Sequence, residues 1–404
     1  MGLIRFRISK TTIFSRIKQR LLIILTVIIL VVLYAAWELF ISNLHRPEDP
    51  KDPQPQGAFP AQPAWVFRTQ EKIPGTPFYS GGKIFIPTSK NVYAVDSNKG
   101  ILLWKSYYQG LSYPGFTFWN NGVPPILCDG ILVVPSRNDS LTAFSEATGV
   151  IFWNSPFDPG EPDNLFHPEE TNYTESLACA GDTLFVTRHD RGIYAINLKT
   201  GGNIWINTDI EDRGYFATQI NGKILYAFST SFIYACDADT GNILWKKDIG
   251  EAVSSIFLEN EILYVAYFNP NPGLLAFESS AMKPIWDIKT SLPDTSLFHY
   301  LAIDKDTIYA TGDSVIAFDK NTGKMKWNSN PFYKLGKPVI LGNTLYVRDP
   351  ATNLYAFDIQ TGKYSVALKI QANWPSMDSL RDPIGASSLL VIPFGDDRLF
   401  AYFP

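Results

Sequence analysis

Short apolar runs alternate with polar turns along the chain from about residue 80 to its end. In a representative unit, residues 224–228, 232–235 and 243–245 are rich in aliphatic and aromatic side chains and are separated by polar breaks. A further run precedes the Asn-Gly or Asp-Gly turn that opens such a unit. Runs of this length, bounded by turn residues, predict four short strands joined by hairpins. Turn signals recur too often for a 3.6-residue apolar period, which argues against a helical solenoid.

The unit repeats, and its most regular mark is an alanine followed ten residues later by a tryptophan. Five of the first six copies also carry glycine six places after the alanine, whereas the fifth copy has Met282 there. The seventh copy has Val366 at the tryptophan position, and the eighth ends soon after Ala401. Four-stranded units at a period of about 40 residues predict an all-β, eight-bladed β-propeller of four-stranded antiparallel blades. The pairs are Ala94/Trp104, Ala143/Trp153, Ala195/Trp205, Ala235/Trp245, Ala276/Trp286 and Ala317/Trp327.

The eighth copy lacks its outer strand, and a run upstream of the first copy is a candidate to supply it. Residues 64–68 are mostly apolar and include a tryptophan, Trp65. We expect this run to complete blade eight and close the ring, which removes two exposed sheet edges. We also expect the repeat tryptophans to fill the space between neighbouring blades. These blade-docking residues are Trp65, Trp104, Trp153, Trp205, Trp245, Trp286 and Trp327.

The pattern Ala-x-Asp-x-x-Thr-Gly-x-x-x-Trp resembles the repeat of the pyrroloquinoline quinone (PQQ)-like propeller family. It is nearly complete in residues 235–245 and 317–327, and the resemblance covers about residues 64–404. The resemblance implies a fold rather than an activity, since sites are grafted onto folds. Two branches share the repeat: quinoprotein dehydrogenases that bind PQQ and calcium, and cofactor-free BamB-like propellers that assist outer-membrane protein assembly. Eight blades with little insertion resemble the second branch.

The first 63 residues differ in composition from the repeats. Residues 1–20 contain six basic residues and no acid, and an apolar run extends over residues 21–41 with one acidic residue, Glu38. This pattern predicts a cytoplasmic segment 1–20, an uncleaved transmembrane signal-anchor helix over 21–41 and an extracytoplasmic body. Six prolines in residues 42–63 predict an extended linker. The predicted protein is thus a single-pass membrane protein whose propeller spans residues 64–404.

Charge and cysteine content narrow the classes of partner. Without residues 1–20, 29 basic residues remain against 39 acidic ones, which argues against nucleic acid because nucleic acid requires a cationic face. No cysteine lies near the apolar segment, so the lipoprotein anchor of BamB is excluded. Cys128 and Cys179 fall at equivalent positions of neighbouring blades, and Cys236 lies on a third strand. Three unpaired thiols are the favoured interpretation, with a Cys128–Cys179 disulfide as the alternative.

The two longest departures from the repeat predict a binding face. Residues 105–123 are rich in aromatic side chains and residues 154–175 in acidic ones, and both flank blade two. Their face also receives charged turns of blades three and seven, the latter at Arg348-Asp349. Aromatic and arginine side chains are usual anchors of a binding patch; the alternatives are caps on the blade ends and a solvated salt-bridge cluster. The candidates are Tyr107, Tyr108, Tyr113, Phe116, Phe118, Trp119, Arg188, His189, Asp190 and Arg191.

Residue patterns for catalysis are sparse. The four histidines occur without a His-x-x-x-His, Cys-x-x-Cys, Gly-x-Ser-x-Gly or phosphate-loop motif, and the carboxylates show no regular ligand spacing. The chain also lacks the vicinal cysteines that PQQ dehydrogenases carry. We therefore expect no catalytic, cofactor or metal site, and a membrane-tethered scaffold that binds protein or another envelope polymer. The alternatives are a PQQ- and calcium-dependent dehydrogenase and, less favoured because only 20 residues are cytoplasmic, a sensory ectodomain.

Overall fold

The computed structural model describes residues 54–404 apart from residues 58, 75, 109–122, 136–139, 156–173, 189–191, 211–216, 230, 251, 269–271, 281, 290–297, 330–331, 333, 350–352, 370–381 and 395–396. The predicted segments 1–20 and 21–41, and the linker up to residue 53, lie outside the described residues. The regular elements given for the described residues are short β-strands. No helix among these residues is long and apolar enough to cross a membrane.

The strands follow one another with short turns, as the apolar runs predict. In chain order they begin with β1 (Gln54–Pro55), β2 (Trp65–Arg68), β3 (Phe78–Ser80), β4 (Lys83–Pro87), β5 (Asn91–Asp96), β6 (Leu102–Tyr107), β7 (Ile126–Cys128) and β8 (Ile131–Pro135). They continue with β9 (Leu141–Ser145), β10 (Ile151–Ser155), β11 (Thr174–Ala180), β12 (Thr183–Arg188), β13 (Gly192–Asn197), β14 (Asn203–Asn207), β15 (Ala217–Asn221) and β16 (Ile224–Phe228). Next come β17 (Phe232–Asp237), β18 (Ile243–Asp248), β19 (Ala252–Glu259), β20 (Ile262–Phe268), β21 (Gly273–Glu278), β22 (Lys283–Lys289), β23 (Phe298–Asp304) and β24 (Thr307–Gly312). The last are β25 (Val315–Asp319), β26 (Met325–Asn328), β27 (Val339–Leu341), β28 (Thr344–Arg348), β29 (Leu354–Asp358), β30 (Tyr364–Lys369), β31 (Ile384–Ala386), β32 (Leu389–Phe394) and β33 (Arg398–Tyr402).

These strands form eight antiparallel sheets, which confirms the predicted eight-bladed propeller. Blades one to seven each start with an inner strand and end with an outer one, as in the order β3-β4-β5-β6 of blade one. Inner strands of neighbouring blades contact one another, for example β11 with β15 and β19 with β23. Between the blades lie clusters of buried apolar side chains, each drawn from two adjacent sheets, so the core is distributed around the ring.

The predicted ring closure is confirmed. Strand β2 is the outer strand of blade eight, in the order β2-β33-β32-β31, and Trp65 lies opposite Ala401. The last blade therefore combines three strands from the end of the described chain with one from near its beginning. Trp65 is only 9% exposed, and its indole N–H donates a 2.9 Å hydrogen bond to the Ser97 carbonyl of blade one.

Each repeat tryptophan lies opposite the repeat alanine of its own blade and packs on the next blade. The small alanine leaves room for the indole, and in six blades the indole N–H donates to a backbone carbonyl of the following third-to-outer turn, which satisfies this donor. The same bond recurs in six blades: Trp65 to Ser97, Trp104 to Glu146, Trp153 to Leu198, Trp205 to Ala238, Trp286 to Lys320 and Trp327 to Ile359.

The repeat glycine has a second role beyond its backbone conformation. Gly149 has φ +73, and a Cβ atom there would lie 2.5 Å from the Trp104 ring of the preceding blade. The indole thus packs directly on the glycine backbone, which only a residue without a side chain permits. In the fifth copy Met282 takes the same left-handed conformation, at φ +51. Alanine, tryptophan and glycine together therefore form one blade-to-blade joint.

Blade seven departs from the repeat, and an upstream segment compensates. Ala356 lies opposite Ser365, while Val366 lies opposite Tyr355, because the register shifts in this blade. A fifth strand, β1, pairs with the outer strand β30, and the Gln56 N–H donates a 2.8 Å bond to the Ala367 carbonyl.

Phe59 then occupies the position of the missing tryptophan. Its ring centroid lies 6.2 Å from that of Tyr346 in blade seven and 5.0 Å from that of Tyr402 in blade eight. In blades four and five, Trp245 contacts the corresponding residues, Tyr226 and Phe277. The prediction of a free linker over 42–63 is therefore wrong for the segment around Gln54–Gln56 and Phe59, which packs on the propeller.

The favoured interpretation of three unpaired cysteines is wrong. Cys128 and Cys179 form a disulfide, with Cα atoms 6.4 Å apart, between the inner strands of blades two and three. Equivalent positions on neighbouring inner strands lie close to the ring axis, which brings the two thiols within bonding reach. Cys236 is a free thiol, and burial raises its pKa to about 12, so the inert protonated form prevails at neutral pH.

Reduction of this disulfide should lower the free energy of unfolding by about 2–4 kcal/mol, because the bond restricts the unfolded chain. The measurement is denaturant unfolding with and without a reductant. Cys236→Ala should keep the effect of the reductant, whereas Cys128→Ala should abolish it. An unfolding curve of the parent protein that does not respond to reductant would contradict the pairing.

Candidate binding face

The two ends of the blades differ. We call the turn face the end that carries the first-to-second and third-to-outer turns, such as residues 81–82 and 97–101 of blade one. Its turns are tight: the Asp237 carboxylate accepts from the Thr240 hydroxyl and N–H and from the Asp239 N–H. These bonds, the Thr240 hydroxyl first, hold the pKa of Asp237 below its ordinary value. Asp319 and Asp358 repeat the arrangement.

Ion pairs also join neighbouring blades across the turn face. Lys83 of blade one lies 2.8 Å from Glu146 of blade two, and Lys320 of blade six lies 2.8 Å from Glu259 of blade five. Both pairs are partly buried. The turn face is thus built of regular turns whose polar groups bind one another.

We call the opposite end the loop face. At this end each outer strand ends and the inner strand of the next blade begins, as at the two ends of connection 108–125 (β6 to β7) and of connection 156–173 (β10 to β11), and here each second strand meets the third. Tyr107 ends β6 there with 69% of its side chain exposed. Among the binding-face candidates that the structure describes, Tyr107 is the one exposed to solvent.

Two further candidates are buried. The Tyr108 hydroxyl donates to the Thr88 carbonyl at 3.1 Å, and its ring lies edge-on to Phe144. Arg188, the last residue of β12, is 4% exposed, with its guanidinium 5.7 Å from the Tyr194 ring centroid. Both therefore support the ends of strands. The other candidates lie outside the described residues: Tyr113, Phe116, Phe118, Trp119, His189, Asp190 and Arg191.

A carboxylate that sequence reasoning missed fixes the segment that enters blade one. Glu71 accepts hydrogen bonds from Asn91, Tyr93 and Lys105, and from the Thr88 hydroxyl. Burial raises the pKa of Glu71, but these donors outweigh it and lower the pKa below its ordinary value. The carboxylate is therefore ionised at neutral pH and holds this part of the loop face in place. The signal in the sequence was weak, since the partners come from three different strands and turns.

A second network supports the loop face between blades six and eight. The buried Asp382 carboxylate accepts from the Lys337 N–H at 3.0 Å, and the Arg348 guanidinium donates to the Pro393 carbonyl at 3.0 Å. Asp349, its sequence neighbour, binds Asn353 and Tyr355. The Arg-Asp turn noted in the sequence therefore has structural partners on both residues.

The described residues contain no group of three or more histidine, cysteine, aspartate or glutamate side chains placed to hold a metal ion. A cavity of about 240 Å³ lies where the inner strands of blades one to three begin, and its lining is largely apolar, with Phe78, Ile126 and Leu177 among its walls. The loop face thus offers an exposed aromatic ring on a rigid support, an arrangement suited to binding.

Eight blades of quinoprotein-type repeats with a supported loop face define a propeller of the PQQ-like class. The family model described as outer membrane protein assembly factor BamB matches residues 58–209 and 229–386. The chain therefore belongs to this BamB family.

Relatives of the chain are distant in sequence. A tetrathionate hydrolase of Acidithiobacillus ferrooxidans is 24% identical over 301 residues, which cover 61% of this chain and 57% of the relative. BamB of Moranella endobia is 21% identical over 330 residues, or 78% of this chain and 66% of the relative. The chain thus matches less than two thirds of the length of each of these two relatives, 57% of the first and 66% of the second. The crystal structure of BamB from Moraxella catarrhalis superposes with a TM-score of 0.62 at 14% identity and covers 84% of this chain and 97% of that one.

Proposed function

We propose that this protein is a membrane-anchored, extracytoplasmic propeller that acts as a non-catalytic protein-binding scaffold. The observation that carries the proposal is the match of most of the ring to a family described as an outer membrane protein assembly factor. A scaffold needs a rigid support and accessible loops rather than reactive groups. The blade-to-blade joints supply the rigidity, and the loop face supplies the accessible connections.

The loop face around blade two is the proposed docking surface for a protein partner. Tyr107 presents an exposed ring at the base of connection 108–125, and that connection contributes Phe118 and Trp119. The acidic residues of 156–173 would surround these aromatic anchors with a charged rim. The competing interpretation is that the two long connections pack on each other and seal one mouth of the channel.

Replacement of the aromatic residues Tyr107, Phe118 and Trp119 by alanine should reduce partner capture at least tenfold, because large aromatic anchors carry much of the binding energy of an interface. The measurement is crosslinking and pull-down with the intact anchored protein, and residues 54–404 alone serve as the unanchored comparison. Met325→Ala, a substitution of an exposed residue in blade six, is the matched control. Capture that is unchanged, or that falls only together with the melting temperature, would place the partner elsewhere.

The proposed location follows from charge and disulfide chemistry. Six basic residues and no acid precede the apolar run 21–41, and a disulfide between Cys128 and Cys179 is typical of an oxidising compartment. A reporter enzyme active only outside the cytoplasm should be active when fused after Pro404. A reporter active only inside the cytoplasm should be silent at the same position, and the reverse pair of results would refute this orientation.

A second candidate function is enzymatic, and the similarity to a tetrathionate hydrolase favours it. Incubation of the purified protein with tetrathionate, and separately with PQQ, calcium and a redox dye, tests it. Turnover of tetrathionate, or a stoichiometric quinone absorbance with dye reduction, would replace the scaffold proposal.

A further inference from the structure

The outer strands of a propeller are sheet edges, and in this chain one of them already carries an added strand. Gln54–Pro55 pairs with β30 of blade seven, with Gln54 opposite Lys369 and Pro55 opposite Leu368. The added segment is extended and uncharged. Blade seven therefore demonstrates, within this chain, that an outer strand accepts an extended segment by backbone pairing.

The other seven outer strands differ in how they are protected against such pairing. Charged residues and proline on an edge strand discourage the addition of a strand from another molecule, although β30 accepts β1 of its own chain beside Lys369. Five of the seven outer strands that end a sheet carry at least one charged residue, but β10 and β14 carry neither a charge nor a proline. The protecting residues in the five are Arg68 in β2, Lys105 in β6, Lys246, Lys247 and Asp248 in β18, Lys283, Pro284, Asp287 and Lys289 in β22, and Lys326 in β26.

The two edges that lack charge and proline also expose apolar side chains. In β10, Ile151 and Phe152 are 42% and 53% exposed, and in β14, Ile204 and Ile206 are each 50% exposed. Ile206 follows Trp205, so strand alternation directs it to the face opposite the indole, whereas Ile204 lies at the register shift of this strand. Exposed apolar groups beside unpaired backbone are the combination that strand addition buries.

We propose that the outer edges of blades two and three bind an extended, uncharged, apolar segment of a partner protein as a fifth strand. The chemistry of the occupant follows from the edge. Main-chain pairing requires an extended backbone, and the side chains that meet Phe152 or Ile206 must be apolar. A charged side chain there would lose hydration without gaining a counter-ion, since β10 and β14 contain none. This surface is the circumference of the ring, distinct from the loop face, and does not depend on the loop-face proposal.

The probe is a fluorescent eight-residue peptide of alternating valine and threonine, titrated against the full-length protein by anisotropy. Its partner probe has the same side chains but a methyl group on every amide nitrogen, which prevents strand pairing while it keeps the apolar surface. The variants are Phe152→Lys and Ile206→Lys, separately and combined, which introduce the charge that other blades have. Leu244→Lys, at a residue that is 53% exposed on the charged strand β18, is the matched control.

The unmodified peptide should bind, and the methylated peptide should bind at least tenfold more weakly. The combined variant should lose at least tenfold in affinity, while Leu244→Lys stays within twofold of the parent protein. Equal binding of both peptides would show that the surface binds by apolar contact without strand pairing. Undiminished binding by the combined variant would show that the peptide binds elsewhere than on β10 and β14. A dimer of the parent protein that Phe152→Lys or Ile206→Lys dissociates would assign the edges to a second copy of the chain instead. If the lysine variants lower the melting temperature, the two peptides still decide the matter on the parent protein.

Discussion

Replacement of Trp65 by alanine should lower the free energy of unfolding of the propeller by about 3–5 kcal/mol, the range for a buried aromatic residue reduced to alanine. The indole is nearly buried, donates to the Ser97 carbonyl and packs on Gly100. Its loss opens the joint between the last blade and the first, where the ring has no covalent continuity between β33 and blade one. The measurement is equilibrium unfolding in guanidinium chloride followed by tryptophan fluorescence and circular dichroism.

Val66→Ala is the control for this prediction, because Val66 is the next residue on the same strand and is 43% exposed. It should change the unfolding free energy by about 0.5 kcal/mol or less. Deletion of residues 42–53, which precede β1, should likewise leave the propeller unaffected. Similar losses for Trp65→Ala and Val66→Ala would mean that β2 does not close the ring.

Phe59→Ala should destabilise the propeller by up to about 3 kcal/mol, the lower end for a phenylalanine in a core, because Phe59 is only partly buried. The substitution removes the ring that fills the tryptophan position between Tyr346 and Tyr402. The interface between blades seven and eight would then contain a cavity. Strand β1 would also lose the side-chain contacts that attach it to the propeller. Thermal unfolding of the purified protein is the measurement.

Phe403→Ala provides the comparison, since it removes the same side chain from a position that is 54% exposed in the same region of the ring. It should leave the melting temperature nearly unchanged. Phe59→Trp should retain most of the stability, because the seven corresponding joints of the other blades hold tryptophan. A Phe59→Ala protein as stable as the Phe403→Ala protein would show that this position needs no filler.

The repeat alone sufficed to predict the blades and their closure, because every copy solves the same packing problem with the same residue types. Ala94 opposite Trp104 and Trp65 opposite Ala401 follow from the spacing. The contact of glycine with the indole of the preceding blade was not predicted, since spacing within one copy does not reveal which residue of the next copy lies beside it.

The disulfide and the docked linker were misjudged for related reasons. Cys128 and Cys179 are 51 residues apart in sequence, and their proximity depends on the angle between two blades. Proline content predicted a free spacer, whereas the missing tryptophan of blade seven was the better signal, because an unfilled joint requires a filler such as Phe59. Connections 108–125 and 156–173 have no repeat to constrain them, so the sequence gives the composition of the candidate face without its geometry.

The attachment of β1 to blade seven also determines how the ring responds to tension. A pull on the chain from its amino-terminal side reaches Gln54–Pro55 and the Phe59 contact before it reaches the closing strand β2. The two paired backbone segments of that attachment are antiparallel. The Phe59 ring must therefore leave its position between blades seven and eight before the force reaches β2. A force applied from the amino-terminal side would thus detach residues 54–57 and 59 first and leave the Trp65 joint intact, so the chain would lengthen before the ring opens.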